Sequence, residues 1–284
     1  MFVTIAIPFY NAEKFLLDAI KSVFVQTHNK WELILIDDGS TDKSLEIAKS
    51  INDPRVRVFS DGKNKKLAAR LNEVVKLAKY DLIARMDADD LMSPTRIEKQ
   101  VSILKNNPSI DLVTTGLFSV TDDLQPISVR WNKSKTISHS QLLRRNIVVH
   151  AAIVARKSWF ERNPYDTNLK VAQDYNSWLR ASYNNDFKLQ FMPEALYYYR
   201  EENNTNIKKM LLAGKYGRKM FYKYGGRDKY FLILRSYIKN FIAVSIVILG
   251  MNRLLLKRRG KSIMDKNLLN RFYKEIQLIK ITII

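Results

Sequence analysis

The sequence predicts an α/β fold in which helices flank a mainly parallel sheet. Apolar runs typical of strands alternate with segments of helical spacing through the first ninety residues. Three of these runs end in Pro or Asp rather than in another apolar residue. Strands joined through helices pair in parallel by right-handed crossovers, so their carboxyl ends meet at one edge of the sheet. Ligands of α/β folds bind at that edge.

The first half of the chain contains four predicted strands and three predicted helices. The strands are Val3–Ile7, Trp31–Ile36, Val56–Phe59 and Leu82–Met86. The helices are Ala12–Val25, a segment after Thr41 that carries Leu45, Ile47 and Ala48, and Leu67–Leu77. Asn11 is expected to cap the first helix, and Ser40 or Thr41 the second.

The second half is less regular. A helix is predicted to open at Ser93-Pro94 and to run through Leu104, since Pro suits an early helical position. Strands are predicted at Leu112–Thr115, Val148–Ala155 and Leu196–Tyr199, and a helix at Asp174–Tyr183. No internal repeat is visible.

Composition excludes several classes of site. The chain has no cysteine, so it has neither disulfides nor Cys-ligated metal sites. Its three histidines lack the spacing of a zinc site. The apolar start, 1–10, lacks a basic leader and contains Pro8, so it is expected to be a strand rather than a signal peptide.

Charge is concentrated at the C-terminal end. Residues 200–284 carry 20 Lys and Arg against five acids, which is +15 of the net +20. An apolar stretch at 231–256, interrupted by Arg and Lys, has too short a charge-free core to span a bilayer comfortably. Basic clusters beside an apolar helix suit in-plane binding to an anionic membrane. A buried helix with a basic rim is the ordinary alternative.

These features predict two domains, a catalytic body at 1–205 and a basic, apolar helical region at 206–284 that associates with a membrane. Nucleic acid is not an expected partner, because no zinc finger or RNA-binding signature is present. The apolar tail could equally pair protomers in a homo-oligomer.

Two acidic clusters follow predicted strands. Asp87, Asp89 and Asp90 lie within four residues after the fourth strand, and Asp37 and Asp38 follow the second. Such hard oxygen ligands suit Mg²⁺ or Mn²⁺ on a phosphate. A solvated acidic turn explains one such cluster, but two acid-tipped strands in a basic chain favour a ligand site.

Two further candidate residues, Asp174 and His150, could have a purely structural role instead of a functional one. Asp174 begins a predicted helix, where an acid is often only a cap. His150 lies between apolar residues and could be a core histidine.

Taken together, four stretches resemble family 2 glycosyltransferases, which have the GT-A, Rossmann-like nucleotide-sugar-binding fold. The stretches are Val3–Asn11, Gln26–Asp42, Ala84–Gln100, and Asp174–Arg180 with Tyr199-Arg200. Each is weak alone, and their order is what carries the resemblance. The implied fold is a mainly parallel mixed sheet flanked by helices, followed here by the basic helical tail.

The resemblance implies roles for particular residues. Asp174 would be the general base, Asp89 the ligand of Mn²⁺ or Mg²⁺, and Asp38 the partner of uracil. The remaining donor contacts would come from Pro8, Tyr10, Asn11, Asp37, Lys66, Arg70, Asp87 and Ala88. Acceptor or accessory roles would fall to Asp90, His150, Gln173, Trp178, Arg200 and Glu202.

This chain departs from the family pattern at three of these positions. Lys66 stands where relatives often carry Gly, and it could contact the diphosphate or reshape the donor loop. Gln173 replaces a frequent Glu before the base. Glu202 replaces a frequent His, which puts any phosphate contact from that position in doubt.

The expected function is therefore inverting, metal-dependent transfer of a hexose or N-acetylhexosamine from a UDP-sugar. The acceptor would be a lipid-linked oligosaccharide of surface polysaccharide, with the enzyme peripheral on the cytoplasmic face of the inner membrane. A nucleotidyltransferase would have a Gly-rich loop near residue 10, which is missing. The other alternative is a non-catalytic membrane- or nucleic-acid-binding protein with a degenerate transferase domain.

Overall fold

A computed structural model describes residues 1–130, 136–201, 207–249 and 265–284. Within them, nine strands form one mixed sheet flanked by helices, as the sequence predicted. The strands are β1 Val3–Phe9, β2 Trp31–Asp37, β3 Val56–Phe59, β4 Leu82–Arg85, β5 Leu91–Met92, β6 Leu112–Val120, β7 Pro126–Arg130, β8 Val154–Arg156 and β9 Leu189–Arg200.

Ten α-helices lie in the described residues. The first seven are α1 Leu16–Phe24, α2 Ser44–Lys49, α3 Leu67–Leu77, α4 Arg96–Asn106, α5 His139–Arg144, α6 Lys157–Arg162 and α7 Gln173–Tyr183. The tail adds α8 Ile207–Tyr224, α9 Lys229–Ile248 and α10 Lys266–Ile281.

The strand order is β3-β2-β1-β4-β8-β6-β9-β5, with β7 paired to β6. The four N-terminal strands pair in parallel, whereas β8 is antiparallel to both of its neighbours. Strands β2, β1 and β4 are adjacent, so the polar residues that follow them lie at one edge of the sheet. This adjacency, which the sequence only implied, is what assembles the site.

Both faces of the parallel strands are covered, which explains their nearly unbroken apolar sequences. Ile5, Ile7 and Leu35 point into a core on the α1 and α4 side. The alternate residues Ala6 and Ile34 point into a second core beneath α3, α6 and α7. This period of two is the pleat of the strand.

Both predicted helix caps are wrong. Helix α1 begins at Leu16, because Asn11 lies in the left-handed region (φ 50°) and its Oδ1 instead accepts the Thr41 N–H at 2.8 Å. Helix α2 begins at Ser44, whose N–H donates to Asp42 at 3.0 Å. Local side chains here tie two loops together rather than capping helices.

The predicted strand at 148–155 is mostly wrong. Residues His150–Ala152 form a 3-10 turn, and within this segment only β8, Val154–Arg156, pairs as a strand. Buried side chains of α4 take the carbonyls that a strand would pair: Gln100 donates to Ala152 at 2.9 Å, and Arg96 donates to Ala151 at 3.4 Å. The turn brings His150 to the wall of the cleft described below.

The tail is in contact with the body. Met220 and Tyr224 of α8 enter the core beneath α7. Phe272, Ile276 and Ile279 of α10 pack on the far end of the sheet with Phe118 and Tyr198. The boundary at residue 205 stays a prediction, but α10 is packed on the sheet and is not a detached appendage.

Candidate active site

Two adjoining cavities open along the carboxyl ends of β1, β2 and β4. The larger has a volume of about 1040 Å³ and the smaller about 280 Å³. Tyr10 and Asp87 line both, so the cavities are two parts of one cleft. The smaller part is also lined by Pro8, Asn11, Ala88 and Asp89, which were all predicted to contact the donor or its metal.

The loop after β4 places three carboxylates close together. One oxygen each of Asp87, Asp89 and Asp90 lie within 4.8 Å of one another. Asp89 is exposed, Asp87 is half-buried and Asp90 is fully buried. Hard, closely spaced oxygens of this kind fit Mg²⁺ or Mn²⁺.

Asp90 holds the loop in place instead of facing the cleft. Its carboxylate accepts hydrogen bonds from the Tyr197 hydroxyl and the Arg200 N–H, both at 2.8 Å. The same Tyr197 hydroxyl accepts the Asp87 N–H at 3.1 Å. Strand β9 therefore positions the acidic loop from behind, and Asp90 acts as an accessory residue through these bonds.

Arg200 supports the same loop from the side. Its buried guanidinium donates to the backbone carbonyl of Asp89 and, at 3.1 Å, to that of Asp122, and it stacks on Phe15. It is absent from the described walls of both cavities. Arg200 is thus a positioning residue for the loop that carries Asp89.

Burial of the loop, and secondly the charge of the nearby Asp87 carboxylate, raises the pKa of Asp89 to about 6. Because Asp89 is exposed, water screens part of this effect. The two acids repel each other, and a divalent cation between them would relieve that repulsion. The donor set therefore fits a divalent metal, with Asp89 as the most accessible ligand.

The acids after β2 are arranged differently. Asp37 is buried, and its two oxygens accept the Ser40 N–H at 2.9 Å and the Ser60 hydroxyl at 2.8 Å. It is absent from the described walls of both cavities, and the expected donor contact from Asp37 stays a prediction. It fixes the strand–turn–helix junction.

Asp38 lines the larger cavity while holding a loop. Its carboxylate accepts the Lys65 N–H at 2.7 Å, the Lys66 N–H at 3.1 Å and the Arg70 Nε–H at 3.0 Å. Arg70 also pairs with Asp61 and Glu73. The guanidinium is nearly inaccessible and absent from the described cavity walls, and the expected donor contact from Arg70 stays a prediction.

Lys66 lies in the left-handed half of backbone space, with φ 72°. Glycine takes this conformation without steric cost, which explains why a Gly is natural at the position. The Lys66 side chain is exposed and lines the larger cavity beside Asp38. The chain therefore places a cation beside Asp38 in the wall of the larger cavity.

Asp174 lines the larger cavity, at the start of α7. Burial raises its pKa, and the Tyr175 N–H, the charge of Arg85 and Asn146 partly offset that increase. Asn146 donates to its Oδ2 at 3.5 Å. A carboxylate with a raised pKa is a better proton acceptor, so the environment suits a general base.

His150 lines the cavity between the two acidic regions. Its Nε2 lies 2.8 Å from the Tyr165 hydroxyl, and its ring contacts Trp178 edge-on. Burial, and secondly the charge of Arg85, holds the pKa of His150 well below its usual value. A neutral imidazole at this wall can hydrogen-bond a sugar hydroxyl but adds no charge.

The remaining predicted accessory residues fall into three groups. Gln173 lines the cavity beside Asp174. Trp178 is fully buried against Trp159 and Phe187 and meets the cavity residue His150 edge-on, and its acceptor or accessory role stays a prediction. Trp178 lies one turn after Asp174 on α7, on the face of the helix that packs into the core. Glu202 lies outside the described residues.

Arg85 is a cleft residue that the sequence did not single out. It is the last residue of β4 and is almost wholly buried, and its guanidinium pairs with Asp87. Its Nε has no hydrogen-bond partner among the described residues. Its charge acts on Asp174 and His150 as well, so it lies electrostatically between the two sides of the cleft. An Arg at a strand end gives no local signal of such a role.

Comparison with known proteins identifies the family of this chain. The sequence model described as Glycosyl transferase family 2 matches residues 4–163. EpsE of Bacillus subtilis, which has a provisional glycosyltransferase name, is 32% identical over 210 residues, 72% of this chain and 74% of its own. WcaA of Escherichia coli, provisionally named for colanic acid biosynthesis, is 28% identical over 207 residues, 69% of this chain and 72% of its own.

Solved structures share the fold at low sequence identity. TarS 1–349 of S. aureus in complex with UDP-GlcNAc has a TM-score of 0.62 at 15% identity, covering 99% of this chain and 90% of that one. The mannosyltransferase PcManGT of Pyrobaculum calidifontis, with GDP-Man and Mn²⁺, has a TM-score of 0.62 at 15% identity, covering 98% and 86%. Fold, cleft and family match agree, and the chain belongs to glycosyltransferase family 2.

Proposed function

We propose that this glycosyltransferase is inverting and metal-dependent, and that it moves a hexose or N-acetylhexosamine from a UDP-sugar to an acceptor hydroxyl. One observation carries the proposal. Asp87 and Asp89, on the loop after β4, and Asp174, at the start of α7, line the walls of a single cleft. A metal–diphosphate site that faces a carboxylate base is the arrangement that direct displacement at an anomeric carbon requires.

The donor would occupy the side built by β1, β2 and β4. Asp38, Lys66 and Asp87 offer polar contacts there, and Tyr10 offers a ring against which a base can stack. Mn²⁺ or Mg²⁺ at Asp89 would neutralise charge that develops on the departing diphosphate. A UDP donor is favoured because a structural neighbour holds UDP-GlcNAc, and GDP remains the alternative because another holds GDP-Man.

The residues of this chain supply the proton transfer. As the acceptor oxygen forms its bond to the anomeric carbon, Asp174 takes the hydroxyl proton and the bond to the diphosphate oxygen breaks. A single displacement inverts the anomeric centre. Asn146 orients the carboxylate, and the buried surroundings keep it a stronger base than a solvated aspartate.

The proposed acceptor is a lipid-linked oligosaccharide of surface polysaccharide, such as O-antigen, capsule or exopolysaccharide. The provisional colanic acid role of WcaA supports this class. The basic, apolar tail supports a place on the cytoplasmic face of the inner membrane, where such acceptors are held. A homo-oligomer is compatible with the same tail.

The test is transfer by Asp174→Asn, with nucleotide sugars screened against lipid-linked and soluble acceptors. We expect transfer to fall about a thousandfold while donor affinity stays within threefold, because only the proton acceptor is lost. Asp123→Asn, on an exposed turn, removes the same charge and should leave transfer unchanged. Transfer by Asp174→Asn at the wild-type rate would remove Asp174 as the base.

A non-catalytic membrane- or nucleic-acid-binding protein with a degenerate transferase domain is the competing proposal. The intact set Asp87, Asp89 and Asp174 in one cleft argues against degeneration. The competing proposal predicts no stabilisation by any nucleoside diphosphate with Mn²⁺, together with salt-dependent binding to RNA or vesicles.

A further inference from the structure

Helix α9 carries an exposed apolar stripe, which we call the α9 stripe. Its members recur at helical spacing and are 47% to 75% exposed: Phe231, Leu234, Tyr237, Ile238, Phe241 and Ile242. At 3.6 residues per turn they cover one side of the helix along three turns. Soluble monomers rarely expose so long a row of large apolar side chains unless something binds to it.

The opposite side of α9 is packed on α8. Ser236 Oγ accepts a bond from Arg218 at 3.4 Å, and the Asn240 side chain lies against Gly214. Moving four residues back along α8, from 218 to 214, moves the contact four residues forward along α9, from 236 to 240. The two helices therefore run antiparallel in a constant register. Since α8 is itself packed on the body, most of the α9 stripe faces away from the protein, while Tyr237 at its edge stacks on Arg218 of α8.

The stretch Gly226–Ile248 is long and apolar enough to cross a membrane, and very little of it is buried. Crossing would require α9 to separate from α8 or α8 to leave the core, because Met220 and Tyr224 anchor α8. Arg235 and Lys239 would also have to enter the hydrocarbon. An in-plane helix keeps both the packing and the hydration of these cations.

The same register places the C-terminal end of α9 at the cleft. If the pairing of α8 with α9 continues, Lys209 lies opposite Ser245, close to the exposed Ile248 and Leu249. Lys209 lines the larger cavity, as does Arg145. Burial lowers the pKa of Lys239, and the charges of Arg235 and of the cavity residue Arg145 lower it further.

We propose that the α9 stripe docks in the plane of an anionic bilayer and turns the mouth of the cleft toward the lipid surface. The head of a membrane-held acceptor would then enter beside Arg145 and Lys209 and reach Asp174. This entry route rests on the proposed function. The docking of the stripe does not, because it depends only on the tail and the lipid.

The charge of α9 favours a bilayer over a second copy of the chain. Helix α9 carries Lys229, Arg235 and Lys239 and no acidic residue. Two such helices packed face to face would bring like charges together, which is destabilising. An anionic headgroup layer instead attracts each of these cations while the apolar side chains enter the interface.

The first test is sedimentation of the full chain with phosphatidylcholine vesicles, with and without one-third phosphatidylglycerol. We expect binding to the anionic vesicles that weakens with salt. Leu234→Asn/Phe241→Asn should lower the vesicle affinity at least tenfold. The matched control Tyr273→Asn/Leu278→Asn changes exposed apolar residues of α10 and should stay within twofold of wild type.

Equal loss in both double variants, or no loss in the first, would overturn the docking surface. So would a dimer of the wild type that becomes a monomer only in Leu234→Asn/Phe241→Asn, because the stripe would then bind a second copy. Stabilisation by UDP with Mn²⁺ is measured on the same variants. If UDP with Mn²⁺ stabilises neither the wild type nor the variants, that result counts against the proposed function. The vesicle result would still decide whether the α9 stripe docks on the membrane.

A second test separates an in-plane helix from a spanning one. The chain has no cysteine, so Phe231→Cys, Ile238→Cys and Ile248→Cys each provide a single labelling site. Depth-dependent quenching of an attached fluorophore should place all three at similar shallow depths. A central position for residue 238 with the other two near opposite surfaces would contradict in-plane docking.

Discussion

Two acidic strand ends that look alike in the sequence differ in what their carboxylates contact. After β2, Asp37 and Asp38 accept hydrogen bonds from backbone N–H groups, from Ser60 and from Arg70. After β4, Asp87 pairs with Arg85, and Asp89 is exposed at the cleft. The first pair holds neighbouring loops in place, and the second leaves the carboxylate of Asp89 uncovered at the cleft.

The difference follows from the loops that pack against each strand end. The segment 60–66 folds back over β2 and brings its N–H groups to Asp38. The loop after β4 is held from behind by Tyr197 and Arg200, which contact Asp90 and leave Asp89 uncovered. Acidic residues at a strand end therefore identify a ligand site only where no neighbouring loop supplies the donors.

The largest expected effect is at the exposed acid. Asp89→Asn should lower transfer at least a hundredfold and abolish the part of donor binding that depends on Mn²⁺, because the most accessible ligand is lost. Folding stability should change little. Donor titration by calorimetry with Mn²⁺ and with chelator measures this, and unchanged metal-dependent binding would exclude Asp89 as a ligand.

At the covered pair, the largest effect is on folding. Arg70→Met should lower the free energy of unfolding by about 3 kcal/mol, because it leaves Asp38 buried without its cation. The exposed Arg162, which pairs with Asp111 and Asp186, gives the matched control: Arg162→Met should cost under about 1 kcal/mol. Urea unfolding compares them, and equal costs would contradict the buried role of Arg70.

Asp37→Asn should have a smaller effect of the same kind. An amide keeps one acceptor oxygen but weakens the bonds from Ser40 and Ser60, so we expect a loss of about 1–2 kcal/mol. Donor affinity should stay within threefold, since Asp37 does not line the cleft among the described residues. A larger fall in donor affinity without loss of stability would support Asp37 as a donor contact.

The smallest expected effect is a pH dependence confined to the β4 loop. The pKa of Asp89 is raised to about 6, so lowering the pH below 6 protonates the ligand and weakens metal-dependent donor binding. We expect roughly a tenfold loss between pH 7 and pH 5. Without metal, the folding stability contributed by this group is present below about pH 4 and is lost as the pH rises through 6. A metal affinity that is constant from pH 7 to pH 5 would contradict the assignment.

Much of the parallel half was predictable, because periodicity is a local property. Strand β3 and helix α3 match their predicted bounds. Strand β5, with two residues, and the edge strand β7 were not predicted, since their pairing depends on β9 and β6. The turn at His150–Ala152 depends on side chains of α4 that are fifty residues away.

The sequence singled out Asp89 and Asp174, which both line the cleft. It did not indicate that Asp37 and Arg70 are bound by the protein itself, because their partners come from another loop. Asn146 and Arg85 carry no local signal either. Arg85 ends β4, and Asn146 contacts Asp174 at the start of α7. Both line the cavity only because the fold brings these elements to the same cleft.

The most direct test compares UDP binding by wild type, Asp89→Asn and Asp37→Asn, each titrated calorimetrically with Mn²⁺ and with chelator. We expect wild type and Asp37→Asn to bind UDP much more tightly with Mn²⁺ than with chelator, and Asp89→Asn to bind UDP weakly under both conditions. Equal loss of the metal-dependent part in both variants would contradict the distinction between the two strand ends, as would UDP binding by wild type that does not respond to chelator.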